Sequence, residues 1–117
     1  MSATLWDDTI EQGATFRRVV PITLSSGNLS DYAWRMELRV SPGAPVLAAL
    51  TSAADGGLTV SDADKTITVE IDATDTAALT LRAVRHDMFG TDANGVVIRA
   101  TVGTFTITPR ITQPAGV

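Results

Sequence analysis

Residues Tyr32 to Val40 alternate without a break: Tyr32, Trp34, Met36, Leu38 and Val40 stand on one parity and Ala33, Arg35, Glu37 and Arg39 on the other. Successive side chains of a strand point to opposite faces, so this run predicts a β-strand with one buried and one wet face. Its charged parity reads Arg-Glu-Arg, which permits cross-strand pairs worth a few tenths of a kcal/mol each. A strand with one apolar face must bury that face against a second layer.

Other segments supply the layer. Thr66 to Asp72 alternates again, with Ile67, Val69 and Ile71 expected inward. Thr15 to Thr23 places Phe16, Val20 and Ile22 on one parity; Arg18 shares it, so this residue is read as a rim position or the mark of a bulge. Pro21 cannot donate to a ladder and places that strand at an edge. Leu5 to Gln12 reads as a short edge segment and Leu58 to Val60 as a brief strand. Val46 to Thr51 fits a strand or a helical turn. Leu81 to Phe89 and Val96 to Val102 flank Asn94-Gly95, a hairpin signal. Gly103 is expected to bend or bulge the chain before a last strand carrying Phe105 and Ile107. Thr74 to Leu79 is the one helical turn expected, capped by Thr74 or Asp75 and crossing between sheets. Turns are expected at Ser25 to Asn28, at Ala54 to Gly57 and at Ser61 to Lys65.

These are 7–9 short strands with frequent turns, the pattern of an all-β, immunoglobulin-like antiparallel sandwich. At 117 residues the chain reads as a single domain, 1–117, with residues 1–4 and 113–117 expected to fray. It has no cysteine, so no disulfide or thiolate site is available, and the disulfide-pinned type of immunoglobulin domain is excluded. Net charge is −4, the wrong sign for a phosphate-binding surface. The start, Met1 to Asp8, carries acid where an export signal carries base, and no segment approaches the ~18 apolar residues of a membrane span, so neither cleaved export nor membrane insertion is expected.

Residues that could carry chemistry are few. His86 is the sole histidine, and Asp87 beside it points to the opposite face of a strand, so a half-buried structural imidazole is expected rather than a catalytic one. Asp7-Asp8, Asp62 with Asp64, and Asp72 with Asp75 lack the convergent loop spacing of a calcium site and read as turn and capping residues. Arg17 with Arg18, and Arg82 with Arg85, beside scattered aromatics, read as solvated strand faces rather than a single-strand nucleic-acid platform. Asn28-Leu29-Ser30 has the form of a glycosylation acceptor and reads as a turn. No enzyme activity, cofactor or metal is expected. Trp6 is the aromatic left free for a carbohydrate or receptor surface, because Tyr32 and Trp34 fall on the buried parity.

An order of short motifs runs along nearly the whole chain: Trp6, Ile10-Glu11-Gln12-Gly13-Ala14-Thr15-Phe16, Leu29-Ser30-Asp31-Tyr32, Trp34 to Arg39, Ile67 to Ile71, Asp75-Thr76-Ala77-Ala78-Leu79 and Gly103 to Pro109. In this order the chain resembles the small immunoglobulin-like virion proteins of tailed bacteriophages and prophages. It departs from them at Asp31, where they often have glycine, and over Val84 to Met88, where they often have Tyr-x-Tyr-Asp-Leu. The resemblance implies a non-enzymatic part of a tail, baseplate or fibre adaptor, found in the virion and, before assembly, in the host cytoplasm. It implies docking to other tail, baseplate or fibre subunits, with homo-oligomers in the particle, through the Leu5 to Gln12 edge and the termini. A capsid decoration protein and a receptor- or carbohydrate-binding module are the alternatives.

Overall fold

A computed structural model describes residues 3–25 and 27–112. Within them the chain forms β1 (Thr4–Leu5), β2 (Asp8–Glu11), β3 (Phe16–Pro21), β4 (Tyr32–Arg39), β5 (Ala48–Thr51), β6 (Leu58–Ser61), β7 (Thr66–Ile71), the short helix α1 (Ala73–Ala77), β8 (Ala83–Asp92) and β9 (Val97–Thr108). The strands make two sheets. The larger, six-stranded sheet runs β1-β9-β8-β4-β5 with β2 also on β9, and the three-stranded sheet runs β3-β7-β6. The architecture is an all-β sandwich.

The two alternating segments form the strands expected of them. Trp34, Met36 and Leu38 of β4 face Ile67, Val69 and Ile71 of β7 across one core, completed by Ile10, Phe16, Val84, Met88, Phe105 and Ile107. Burying each such side chain contributes roughly 1.5–3 kcal/mol. The Trp34 ring lies flat against the backbone of Gly90 on the neighbouring strand, where a Cβ would meet Cζ3 at 2.7 Å. Glycine at that position is what lets the largest side chain in the core fit. Its indole N–H donates to the Leu29 carbonyl at 2.9 Å, so no polar group is left stranded.

Several expectations are corrected. The sandwich is not wholly antiparallel: β1 and β2 both pair parallel with β9. Thr4 lies in β1 and so does not fray; Met1, Ser2 and residues 113–117 fall outside the described residues, as does Ser26 of the expected turn. Val40 is 48% exposed, because β4 ends at Arg39 and the chain turns away. Val46 to Thr51 resolves as strand β5. The eighth strand begins at Ala83 and runs on to Asp92. The register shift lies not at Gly103 but between Met88 and Phe89, which pair with Thr101 and Arg99 and leave Ala100 as the extra residue. The Arg-Glu-Arg face pairs along β4 rather than across strands, with Arg35 and Arg39 both on Glu37. Arg18 sits at the rim with no bulge in β3, its guanidinium 4.5 Å from the Phe16 ring centroid and bonded to Asp8.

Helix α1 carries the chain from β7 back to the larger sheet. Its cap is Asp72, not Thr74 or Asp75: the Asp72 carboxylate accepts from the Asp75 N–H at 2.8 Å. One turn has no stability of its own, so it is held by side chains from the N-terminal segment. Buried Thr76 donates through Oγ1 to the Ala14 carbonyl (2.8 Å) and accepts from the Gly13 N–H (3.1 Å). Gln12 donates to the carbonyls of Ala77 and Leu79, each at 3.1 Å, and its Oε1 accepts from the Arg110 N–H.

Two outcomes follow from these contacts. Thr76→Val keeps the shape and strands the Gly13 N–H and the Ala14 carbonyl, so urea denaturation shows a loss of about 1–3 kcal/mol. Gly90→Ala drives a methyl into the Trp34 ring and costs about 1–3 kcal/mol by overpacking; an unchanged midpoint for it shows that the ring is not seated there.

Candidate functional site

Parallel strands β1 and β2 keep one register along β9 on either side of Trp6 and Asp7, where the chain crosses Gly103. A Cβ on Gly103 would lie 2.0 Å from the Trp6 carbonyl oxygen, so only glycine permits the crossing. The same carbonyl accepts from His86 Nε2–H at 2.7 Å. A carbonyl only accepts, so the proton is on Nε2 and Nδ1 is a bare lone pair, buried with no partner among the described residues. The imidazole is 3% exposed rather than half-buried and stacks on Phe105 at 3.9 Å, with the Trp6 ring edge-on at 5.1 Å. Burial holds its pKa below the usual imidazole value, against the opposing pull of the Trp6 carbonyl and of Asp7, Asp87 and Asp8. His86 is a structural pin for the N-terminal strand, and Asp87 points away from it to Arg99.

The outer face of the larger sheet carries an open depression of about 830 Å³. On its floor the exposed parities of β4, β8 and β9 bring together Arg35, Glu37, Arg39, Arg85, Asp87 and Arg99. Arg39 and then Arg35 hydrogen-bond Glu37 and hold its carboxyl below the usual range. Arg99 reaches Asp87 at 3.3 Å, and Arg85 has no carboxylate partner among the described residues. Apolar side chains stand beside these charges: Leu5 is 72% exposed, Val97 57% and Phe89 39%. Sequence reasoning missed this face, although Arg85, Asp87 and Phe89 share one parity and were available as its signal.

The other singled-out residues serve the fold. Asp7 accepts from the Thr104 N–H at 2.9 Å, taking the place of a ladder bond. Partial burial pushes the Asp8 carboxyl up, but hydrogen bonds from Arg18, the Thr9 N–H and the Trp6 indole bring it below its ordinary value. Asp62 accepts from the Ser30 N–H, which ties the β6–β7 turn to the short 3-10 turn before β4, and hydrogen bonding from the Ser30 hydroxyl and then its N–H lowers the Asp62 pKa. Asp64 bonds Ser61. Asn28 donates its N–H to Asp31, with Leu29 buried beside it. Arg17 pairs with Glu70 in the open, while Arg82 is exposed. Among the described residues no group of three or more His, Asp or Glu is placed to hold a metal, and no helix is long and apolar enough to cross a membrane.

Trp6 is not the free aromatic expected. Its ring packs on Phe16 at 6.3 Å and edge-on to Phe105 at 5.0 Å, and its indole N–H is taken by Asp8. These contacts leave the ring half-buried. Compared with known proteins, the chain matches no protein-family model and no curated protein.

The buried imidazole sets a pH response. With its pKa lowered in the fold, the unfolded chain takes up the proton first as pH falls below about 6.5. His86 therefore contributes no penalty above that pH, and stability declines from there towards the folded-state pKa. Thermal melts between pH 7 and 5 show the midpoint falling, and His86→Gln, which keeps an N–H but cannot titrate, flattens the curve. An equal slope in both proteins removes His86 as the cause.

Proposed function

We propose that this chain is a non-catalytic immunoglobulin-like module of a tailed-phage virion, built into the tail, baseplate or fibre attachment and acting by docking to other proteins. The observation that carries this reading is the meeting of Gln12-Gly13 with Thr76-Ala77-Ala78-Leu79. These are two of the segments whose order gives the resemblance to the virion proteins. They lie far apart in the chain and form one hydrogen-bonded unit, so the likeness follows a structural joint rather than scattered residues.

The strand order supports the immunoglobulin-like part of the reading. Sheet β3-β7-β6 stands against β9-β8-β4-β5, with the N-terminal strand lying beside the last one. That matches a variable-type domain in which B, E and D oppose G, F, C and C′, and Trp34 on β4 occupies the strand where such domains bury their tryptophan. No disulfide stands behind this tryptophan; Met36, Met88 and the aliphatics fill the core instead. The outer edges of β5, β3 and β6 offer unpaired backbone groups to a partner strand.

Mass spectrometry of purified particles from a strain carrying the gene tests the proposal. The chain is expected in the virion fraction, and gold-labelled antibody places it on the tail. Labelled heads move it to a decoration role, and absence from particles that assemble and infect normally ends the virion reading.

A further inference from the structure

The same molecule carries two surfaces of opposite charge. The concave outer face holds four arginines on β4, β8 and β9 against Glu37, Asp87 and Asp7, a net positive surface within a chain whose net charge is −4. Away from it, where β5 approaches β6 at the open side of the sandwich, a second cleft is lined by Asp55, Glu70, Asp72 and Asp75, of which only Glu70 has a cationic partner, Arg17, among the described residues. Asp55 stands exposed at the turn between these strands, in a left-handed conformation (φ 60°). Exposed Leu5, Phe89 and Val97 add apolar surface to the cationic face. An uncovered apolar patch beside Arg85, whose charge no carboxylate of the described residues answers, fits an interface better than a solvated face.

We propose that copies of this chain associate head to tail, the acidic β5–β6 end of one copy seating on the cationic outer face of the larger sheet of the next. The inference rests on reading the chain as a docking module and names one of its partners as itself. The contact is heterologous, since each copy offers two different surfaces, and its growth yields a ring or a filament rather than a closed pair. The arginines set orientation: Arg85 has no carboxylate partner among the described residues and takes one from the neighbour. Salt weakens the contact, because screening shortens from about 10 Å at 0.1 M to about 3 Å at 1 M ionic strength.

Sedimentation equilibrium on the purified full chain tests this independently of any virion. Mass is expected to rise with concentration past the dimer at low salt and to fall back at 1 M salt. Two variants separate the surfaces. Arg85→Glu with Arg99→Glu spoils the face; Asp55→Asn with Asp75→Lys spoils the acidic end and leaves the Asp72 cap in place. Each alone is expected to weaken association at least about tenfold. Mixed in equal amounts they still share one intact pairing and form a heterodimer that grows no further, which also shows that both fold. A wild type that stays monomeric, or stops at a symmetric dimer, overturns the proposal, as does association that either variant leaves intact. Virion incorporation with a monomer in solution overturns this inference and leaves the proposed function standing.

Discussion

The approach of the Trp6 carbonyl to Gly103 is the contact on which the arrangement of the sandwich depends. It brings an N-terminal segment flush against β9, and a missing methyl group is what permits it. Once there, the carbonyl is bonded by His86, the Asp7 carboxylate takes the Thr104 N–H, and the Trp6 ring covers Phe16 and Phe105 where the two sheets meet. Asp8 then reaches Arg18 of the opposite sheet. An exposed pair of that kind is worth about 0–1 kcal/mol, so the hold comes from the buried aromatics and the satisfied backbone rather than from charge.

The second joint, around Gln12 and Thr76, works on the same segment from its other end. The chain leaving β2 is tied to the helix that crosses between the sheets, and Gln12 also binds the segment after β9. Three chain segments distant in sequence are therefore fixed by side chains of two residues. A one-turn helix persists there because its polar groups are answered from outside it.

What could be read from the sequence was local. The alternations of Tyr32 to Val40 and Thr66 to Asp72 named their buried residues correctly except at the ends of the first, where Tyr32 is half-buried and Val40 exposed, because a two-residue period needs no knowledge of the rest of the fold. Gly103 was misread for the opposite reason. It looked like a bend, yet β9 runs straight through it, and the cause of the glycine is a residue from the other end of the chain. Trp6 went wrong with it: an aromatic in a short polar segment looks free until its strand is placed. The cationic face was legible strand by strand but not as a surface, since strand order decides that Arg85 lies opposite Arg39 and that Arg35 and Arg99 flank Phe89.

The extra residue at Ala100 divides β9 into two stretches of opposite parity. Beyond it, towards the hairpin, Arg99 and Val97 face outwards; before it, Thr101, Gly103 and Phe105 face the core. An alteration of odd length between Ala100 and the turn would therefore carry an arginine into the interior and an apolar side chain out, while one of even length would leave both faces as they are. The tip of the hairpin, outside the paired stretch, can lengthen or shorten by any number, whereas the strand between the single bulged alanine and the turn can change only in steps of two.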